Sequence, residues 1–253
     1  MPPKRGEKAS DSARRQLIER VLDGTYPPGT DLPGERDLSK ELGVARPALR
    51  EALQSLAHDG WLTIHHGKAT QVSDFLREGN LNVLTGLLDA DITLLPNFIP
   101  DLLEMWGLIA PTYTHRAVTA APQDVVEHLT SYADLPDRAR PLVQAQWRLH
   151  RRLIDLGGNP VYGLLLNSFS TFYGRLARHF FADGARRDDV RAFWGALAEA
   201  AGAGDAERAA AEMARYMDDL RARWQTLDIS AWLDDDDGDF MAAEDAAPPT
   251  DDA

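Results

Sequence analysis

GVARPALREALQSLAHDGWLTIHHGKATQV, residues Gly43 to Val72, decides the reading of this chain. Pro47 suits the first turn of a helix, where a missing backbone N–H leaves nothing unsatisfied. Ala48, Leu49, Ala52, Leu53 and Leu56 recur at helical spacing and form a stripe to be buried. That stripe turns Arg46 and Arg50, one helical turn apart, onto a common outward side. Asp59-Gly60 closes the helix, and two short β-prone segments follow, Trp61 to His65 and Thr70 to Val72, joined by His66-Gly67-Lys68. A helix followed by a ribbon tipped with a glycine and a cation is the plan of a winged helix-turn-helix. Two arginines near the start of such a helix suit insertion into a major groove. Trp61, Ile64 and Val72 are expected to anchor the ribbon to the body. At its tip, Gly67 is expected to allow close approach of backbone, while Lys68 can neutralise a phosphate and His66 can donate to a base edge.

Two helices precede this stretch. Ser10 or Asp11 is placed to cap the first, whose Leu17, Ile18, Val21 and Leu22 repeat at helical spacing before Gly24. Tyr26-Pro27-Pro28-Gly29 forces a turn, because proline fixes φ and glycine accepts positive φ. Pro33-Gly34-Glu35-Arg36 opens a second short helix with Leu38 and Leu42 inward and Gly43 as its stop. Arg36 belongs with Arg46 and Arg50 as a candidate DNA contact.

Downstream, residues 74–82 read as a hinge, with 76–82 as the linker between domains. From Val83 to about Leu227 the pattern is helical throughout, in about six helices, predicting an all-α bundle. One helix from Asn159-Pro160 to Phe181 is apolar on nearly every side and is expected in the middle of that bundle. Asp205 to Leu227 carries a narrower stripe through Met213, Tyr216, Met217, Leu220 and Trp224. The expected organisation is mainly α: a winged helix at 1–75 with three helices and a two-stranded wing, a helical effector domain at 83–228, and an acidic disordered tail at 229–253. The first ten residues also read as disordered.

The formal net charge of −13 is not spread evenly. Residues 1–75 hold 11 Lys/Arg against 11 Asp/Glu, whereas from Asp228 onward there are 10 acidic residues and no basic one. A global excess of this origin leaves the cations of the candidate DNA face in place. The absence of cysteine removes disulfides, thiolate metal sites and cysteine nucleophiles. No uncharged apolar run reaches the ~18 residues of a membrane span, and MPPKRGEKASDSARR lacks the apolar core of a signal peptide, so a cytoplasmic location is expected. No nucleophile–base–orienter arrangement stands out, so an enzyme is not expected.

The N-terminal third resembles the GntR family of bacterial regulators through Pro27-Pro28-Gly29, Leu32-Pro33-x-Glu35-Arg36-x-Leu38, Gly43-Val44-x-Arg46-x-x-Leu49-Arg50-Glu51 and Asp59-Gly60-Trp61. The wing, Trp61-Leu62-Thr63-Ile64-x-His66-Gly67-Lys68, is closer still to the family's regulators of fatty acid metabolism. The likeness continues through Gly158-Asn159-Pro160-x-Tyr162-Gly163-Leu164, Arg178-His179-x-Phe181-Ala182, Arg215-Tyr216 and Trp224. It implies a homodimer on a palindromic double-stranded operator, repressing fatty-acid degradation genes, activating fatty-acid synthesis genes, and released by long-chain acyl-CoA. It implies DNA contacts from Arg36, Arg46, Arg50, His66, Gly67 and Lys68. Ala45, Pro47 and Ala48 stand where the relatives carry threonines, which removes possible phosphate contacts.

Related helical effector domains often hold a metal through an aspartate and three histidines. Those positions fall on Gln146, His150, Trp194 and Tyr216, and one imidazole builds no cage, so neither metal nor cofactor is expected and His150 reads as a core residue. Trp106 takes the place of a carboxylate-binding arginine. Tyr216 and Trp224 match residues near the acyl-CoA; Met217 and Leu220 replace a glycine and a serine and narrow the pocket. Arg215, Arg221 and Arg223 are available for CoA phosphates. Two other readings stay open: a family member answering to a different metabolite, and a constitutive DNA-binding dimer.

Overall fold

The computed structural model describes residues 8–65, 67–89, 97–225 and 227. Contacts divide the chain into two compact units, Met1–Pro96 and Asn97–Ala253.

In the first unit, α1 (Ala9–Leu22) packs on α3 (Arg46–Asp59), with α2 (Glu35–Glu41) against α3. Leu17, Ile18, Leu38, Leu49 and Leu56 form the core between them, so the apolar stripes read from spacing are the buried faces. Helix α1 begins one residue before the expected cap: Lys8 occupies the cap position, and Ser10 and Asp11 lie within the helix. Asp59, buried at the end of α3, is paired with Arg14 of α1 at 3.0 Å. Helix α3 ends on Gly60 at φ 95°, a left-handed conformation suited to glycine. A Cβ there would also come within 2.8 Å of the Gly79 Cα.

The wing is β1 (Leu62–Thr63) antiparallel to β2 (Gln71–Val72), with Leu62 opposite Val72 and Thr63 opposite Gln71. A third segment joins it: Gly29 N–H donates to the Val72 carbonyl at 2.8 Å, Val72 N–H to Thr30 at 2.9 Å, and Leu32 N–H to Thr70 at 2.8 Å. The Pro27-Pro28-Gly29 turn thus serves to lay residues 30–32 along β2. Trp61 and Val72 are buried as expected, but Ile64 is 44% exposed and anchors nothing. It stands beyond the ladder, where the ribbon has left the body.

The expected linker is not free chain. Helices α4 (Phe75–Glu78) and α5 (Asn82–Asp89) fall within the first unit. Phe75 stacks on Trp61 with ring centroids 4.6 Å apart. Asn80 donates to the His58 carbonyl at 3.2 Å and accepts from Asn82 N–H at 2.8 Å. Val83 and Leu87 are buried, and a Cβ on Gly86 would lie 2.8 Å from the Trp61 indole nitrogen. Apolar burial of α5 onto α1 moves the boundary beyond residue 83.

The second unit comprises seven helices among the described residues: α6 (Phe98–Ala120), α7 (Pro122–Thr130), α8 (Ala139–Gly157), α9 (Pro160–Asn167), α10 (Ser170–Phe180), α11 (Gly184–Gly202) and α12 (Ala206–Trp224). Helix α6 lies against both α12 and α8, while α11 bridges α7 and α12. The single helix expected from Pro160 to Phe181 is two. Ser168 and Ser170 hydroxyls donate to the carbonyls of Leu164 and Asn167, competing with the helical ladder. Phe169 turns inward at the break and meets Trp106 edge-on at 5.5 Å. Nor is this segment apolar-covered on every side, since Val161 is 56% and Leu164 68% exposed. No described helix is long and apolar enough to cross a membrane. The tail expected to be disordered, residues 229–253, and the first seven residues lie outside the described residues.

Candidate functional site

Pro47 and Gly60 bound a 14-residue α3 whose buried Leu49, Leu53 and Leu56 leave Arg46 and Arg50 exposed on the opposite side. Arg36 on α2 is exposed as well. Their partners differ. Arg50 donates to Glu35 at 2.8 Å, which ties the third helix to the second across the turn. Arg36 is 3.3 Å from Asp37, a neighbour on its own helix. Arg46 has no ion pair among the described residues. Exposed pairs of this kind contribute little stability, so they yield readily to a phosphate. On the wing, Gly67 takes φ +73° and Lys68 is exposed. His66, expected beside them, lies outside the described residues.

The bundle encloses a cavity of ≈ 100 Å³. All five ligand residues read from the sequence, Trp106, Tyr216, Met217, Leu220 and Trp224, line it. They arrive from α6 and α12, the most closely associated helices of the unit. Trp224 stacks on Phe180 of α10 with centroids 5.8 Å apart, closing one wall. Phe169 and Tyr173 also line the cavity and were missed, because their inward placement depends on the break between α9 and α10. Burial holds the Tyr173 and Tyr216 phenols well above their ordinary range, so both remain protonated.

Gln146 and His150, which stand at two of the positions where related domains hold a metal, line the same cavity. Trp194 Nε1 donates to Gln146 Oε1 at 2.7 Å. Gln146 Nε2 lies 3.2 Å from His150 Nε2, and Tyr113 Oη 2.6 Å from His150 Nδ1. Burial lowers the His150 pKa to about 4, so the imidazole is neutral near pH 7. Trp194 thus takes the role of a hydrogen-bond donor to a buried amide, and Tyr216 stacks on Phe193 at 4.2 Å instead of joining this group. Among the described residues, no group of three or more His, Asp or Glu is placed to hold a metal.

A second, more polar cavity of ≈ 220 Å³ adjoins the first and shares Phe180, Tyr216 and Leu220 with it. Arg186, Arg215 and Arg223 line it together with Asp189 and Asp219. Arg215 and Arg223 are two of the three arginines singled out for phosphates. The third, Arg221, pairs instead with Glu104 of α6 at 2.8 Å. Arg186, not read from the sequence, sits over the Phe180 ring at 5.3 Å. Arg215 pairs with Glu212, and Arg223 lies 2.9 Å from Asp189 without the alignment of a hydrogen bond. The vestibule is therefore cationic but partly neutralised by its own carboxylates.

Comparison with known proteins divides the chain at the end of the wing, at residue 72, earlier than the contacts do at Pro96. Residues 9–72 match the family described as bacterial regulatory proteins, gntR family, and residues 73–233 match the FadR C-terminal domain. A protein named fatty acid metabolism regulator protein from Salmonella paratyphi C is 35% identical over 215 residues, covering 85% of this chain and 90% of that one. Its counterpart from Salmonella newport is similar to the same extent, 35% over 215 residues with the same coverage. A solved structure described as "Lar controls the expression of the Listeria monocytogenes agr system and mediates virulence" shares the fold, with a TM-score of 0.58 at 16% identity over 89% of this chain and 100% of that chain.

Proposed function

The chain belongs to the GntR family and, within it, to the fatty acid metabolism regulators carrying a FadR C-terminal domain; from that premise we propose an operator-bound homodimer released by long-chain fatty acyl-CoA. It is a transcriptional regulator and not an enzyme. In this reading the palindromic operator is read by Arg46 and Arg50 from α3, with Arg36 and the wing residues His66, Gly67 and Lys68 setting register on the phosphates. Bound, the protein represses fatty-acid degradation genes and activates synthesis genes.

The observation that carries the effector assignment is the apposition of an apolar cavity and an arginine-bearing one, joined at Phe180, Tyr216 and Leu220. An acyl thioester has the matching division, hydrocarbon on one side and phosphates on the other. At ≈ 100 Å³ the inner cavity is smaller than the ~300 Å³ at which ligand pockets usually begin, so a long chain enters only by displacing Met217, Leu220 or their neighbours. That requirement is what couples ligand to protein shape. Reversing a 99:1 balance takes ~5.5 kcal/mol of differential binding, which about seven methylenes supply at ~0.8 kcal/mol each.

The test is titration of the operator-bound protein with a C16 or C18 acyl-CoA, followed by calorimetry and mobility shift together. Heat and loss of the complex are expected. Absence of both removes the acyl-CoA assignment and leaves a family member answering to another metabolite or to none.

A further inference from the structure

The cavity is lined mostly by hydrocarbon, yet Gln146, only 3% exposed, is turned toward it from α8. Its amide orientation is set from outside. An indole N–H only donates, so the Gln146 atom 2.7 Å from Trp194 Nε1 is the carbonyl oxygen, and the NH₂ faces the other way. One of its hydrogens meets His150 Nε2 at 3.2 Å. That makes Nε2 an acceptor, places the proton of neutral His150 on Nδ1 and directs it to Tyr113 Oη at 2.6 Å. The opposite tautomer, with Tyr113 donating to Nδ1, puts the imidazole N–H beside the amide NH₂. Either way a donor on Gln146 or His150 finds no acceptor within the group, and both residues line the cavity. The second Gln146 N–H has no acceptor among the described residues.

A buried donor without an acceptor destabilises any state that leaves it so. A plain saturated chain beside Gln146 does leave it so; a chain carrying an oxygen there does not. We propose, resting on the acyl-CoA reading above, that the Gln146 side-chain N–H recognises an oxygen on the acyl chain itself, making a hydroxy- or oxo-acyl thioester the preferred effector. The thioester's own carbonyl is the competing acceptor, and if it met Gln146 no hydroxyl along the chain would improve binding. Gln146 and His150 line the cavity but not the vestibule, which shares Phe180, Tyr216 and Leu220 with it. Gln146 thus meets the part of the ligand that has left the arginine-bearing vestibule. His150 and Trp194 act as positioning residues, holding the amide in the orientation that presents its N–H.

The experiment compares hexadecanoyl-CoA with a series of C16 acyl-CoAs in which one hydroxyl is moved along the chain, using calorimetry on the full-length protein. One position is expected to bind roughly tenfold tighter than the unsubstituted chain, the worth of one buried hydrogen bond, and the others more weakly. Gln146→Met removes the donor and is expected to abolish that preference while hexadecanoyl-CoA still binds. Trp194→Phe, which frees the amide to rotate without altering the cavity lining, is expected to weaken the same preference in a protein whose thermal unfolding shows it folded. If every hydroxylated chain binds no better than hexadecanoyl-CoA, the inference is overturned while the acyl-CoA reading stands. If no acyl-CoA binds at all, both fall.

Discussion

Arg46 and Arg50 occupy adjacent turns of α3, yet they differ in what holds them. Arg50 is drawn toward Glu35 at 2.8 Å, whereas Arg46 has no ion pair among the described residues and is exposed. A bidentate arginine–guanine contact contributes ~1–3 kcal/mol of discrimination. Arg46→Ala is therefore expected to weaken operator binding by about that amount per half-site while leaving random-sequence binding nearly unchanged. A mobility-shift competition showing undiminished preference would count against Arg46 as a base reader. His150 makes a prediction of another kind. Its pKa is about 4 in the fold against an ordinary 6.5, so the unfolded chain takes up a proton first as pH falls. Stability from this group is complete above pH ~6.5 and falls by about 3 kcal/mol as pH drops to ~4. Denaturant titrations across that window should show the loss, and His150→Gln should flatten it; an unchanged slope would mean that other groups dominate the acid response.

At the scale of elements, the segment that follows the wing is packed onto the first unit more tightly than its composition implies. Gly60 is needed twice, for its φ of 95° and for the 2.8 Å approach of the Gly79 Cα to the place where a Cβ would stand. Gly60→Ala is expected to destabilise the protein by about 2–4 kcal/mol, combining left-handed strain with a backbone clash. Urea denaturation reads this directly, and a change below 1 kcal/mol on the order of surface substitutions would show that α3 and α4 separate at little cost. The same packing brings Gly86 onto the Trp61 indole, whose buried Nε1 has no acceptor among the described residues. An unsatisfied donor under α5 makes that helix a weak point of the first unit. In the second unit, the break at Ser168-Phe169 is what delivers Phe169 to Trp106 and so shapes the cavity.

For the molecule as a whole, charge is unevenly placed. The overall −13 arises largely after Asp228, while residues 1–75 are balanced. A run of carboxylates competes with phosphate for exposed arginine and lysine, and salt screens that competition. Removal of residues 229–253 is expected to raise affinity for a random duplex about 3–10-fold at ~50 mM salt and little at ~200 mM. Fluorescence anisotropy at both salts tests this; equal affinities with and without the tail at low salt would exclude the competition.

Much of this protein was decided locally, and local features are what a sequence displays. Pro47, Gly60 and the Leu49–Leu53–Leu56 stripe determine α3 and the outward side of Arg46 and Arg50 through backbone rules and helical period alone. The stripe of α12 likewise marked Tyr216, Met217, Leu220 and Trp224, all of which line the cavity. Other outcomes required elements distant in sequence to meet. The burial of α5 on α1 and Trp61, the exposure of Ile64, and the turn of Phe169 inward depend on neighbours that periodicity does not name. So does the orientation of Gln146, set by an indole on α11, 48 residues away. A helical pattern states which face is apolar; which donor finds an acceptor there is settled only when the helices close around it.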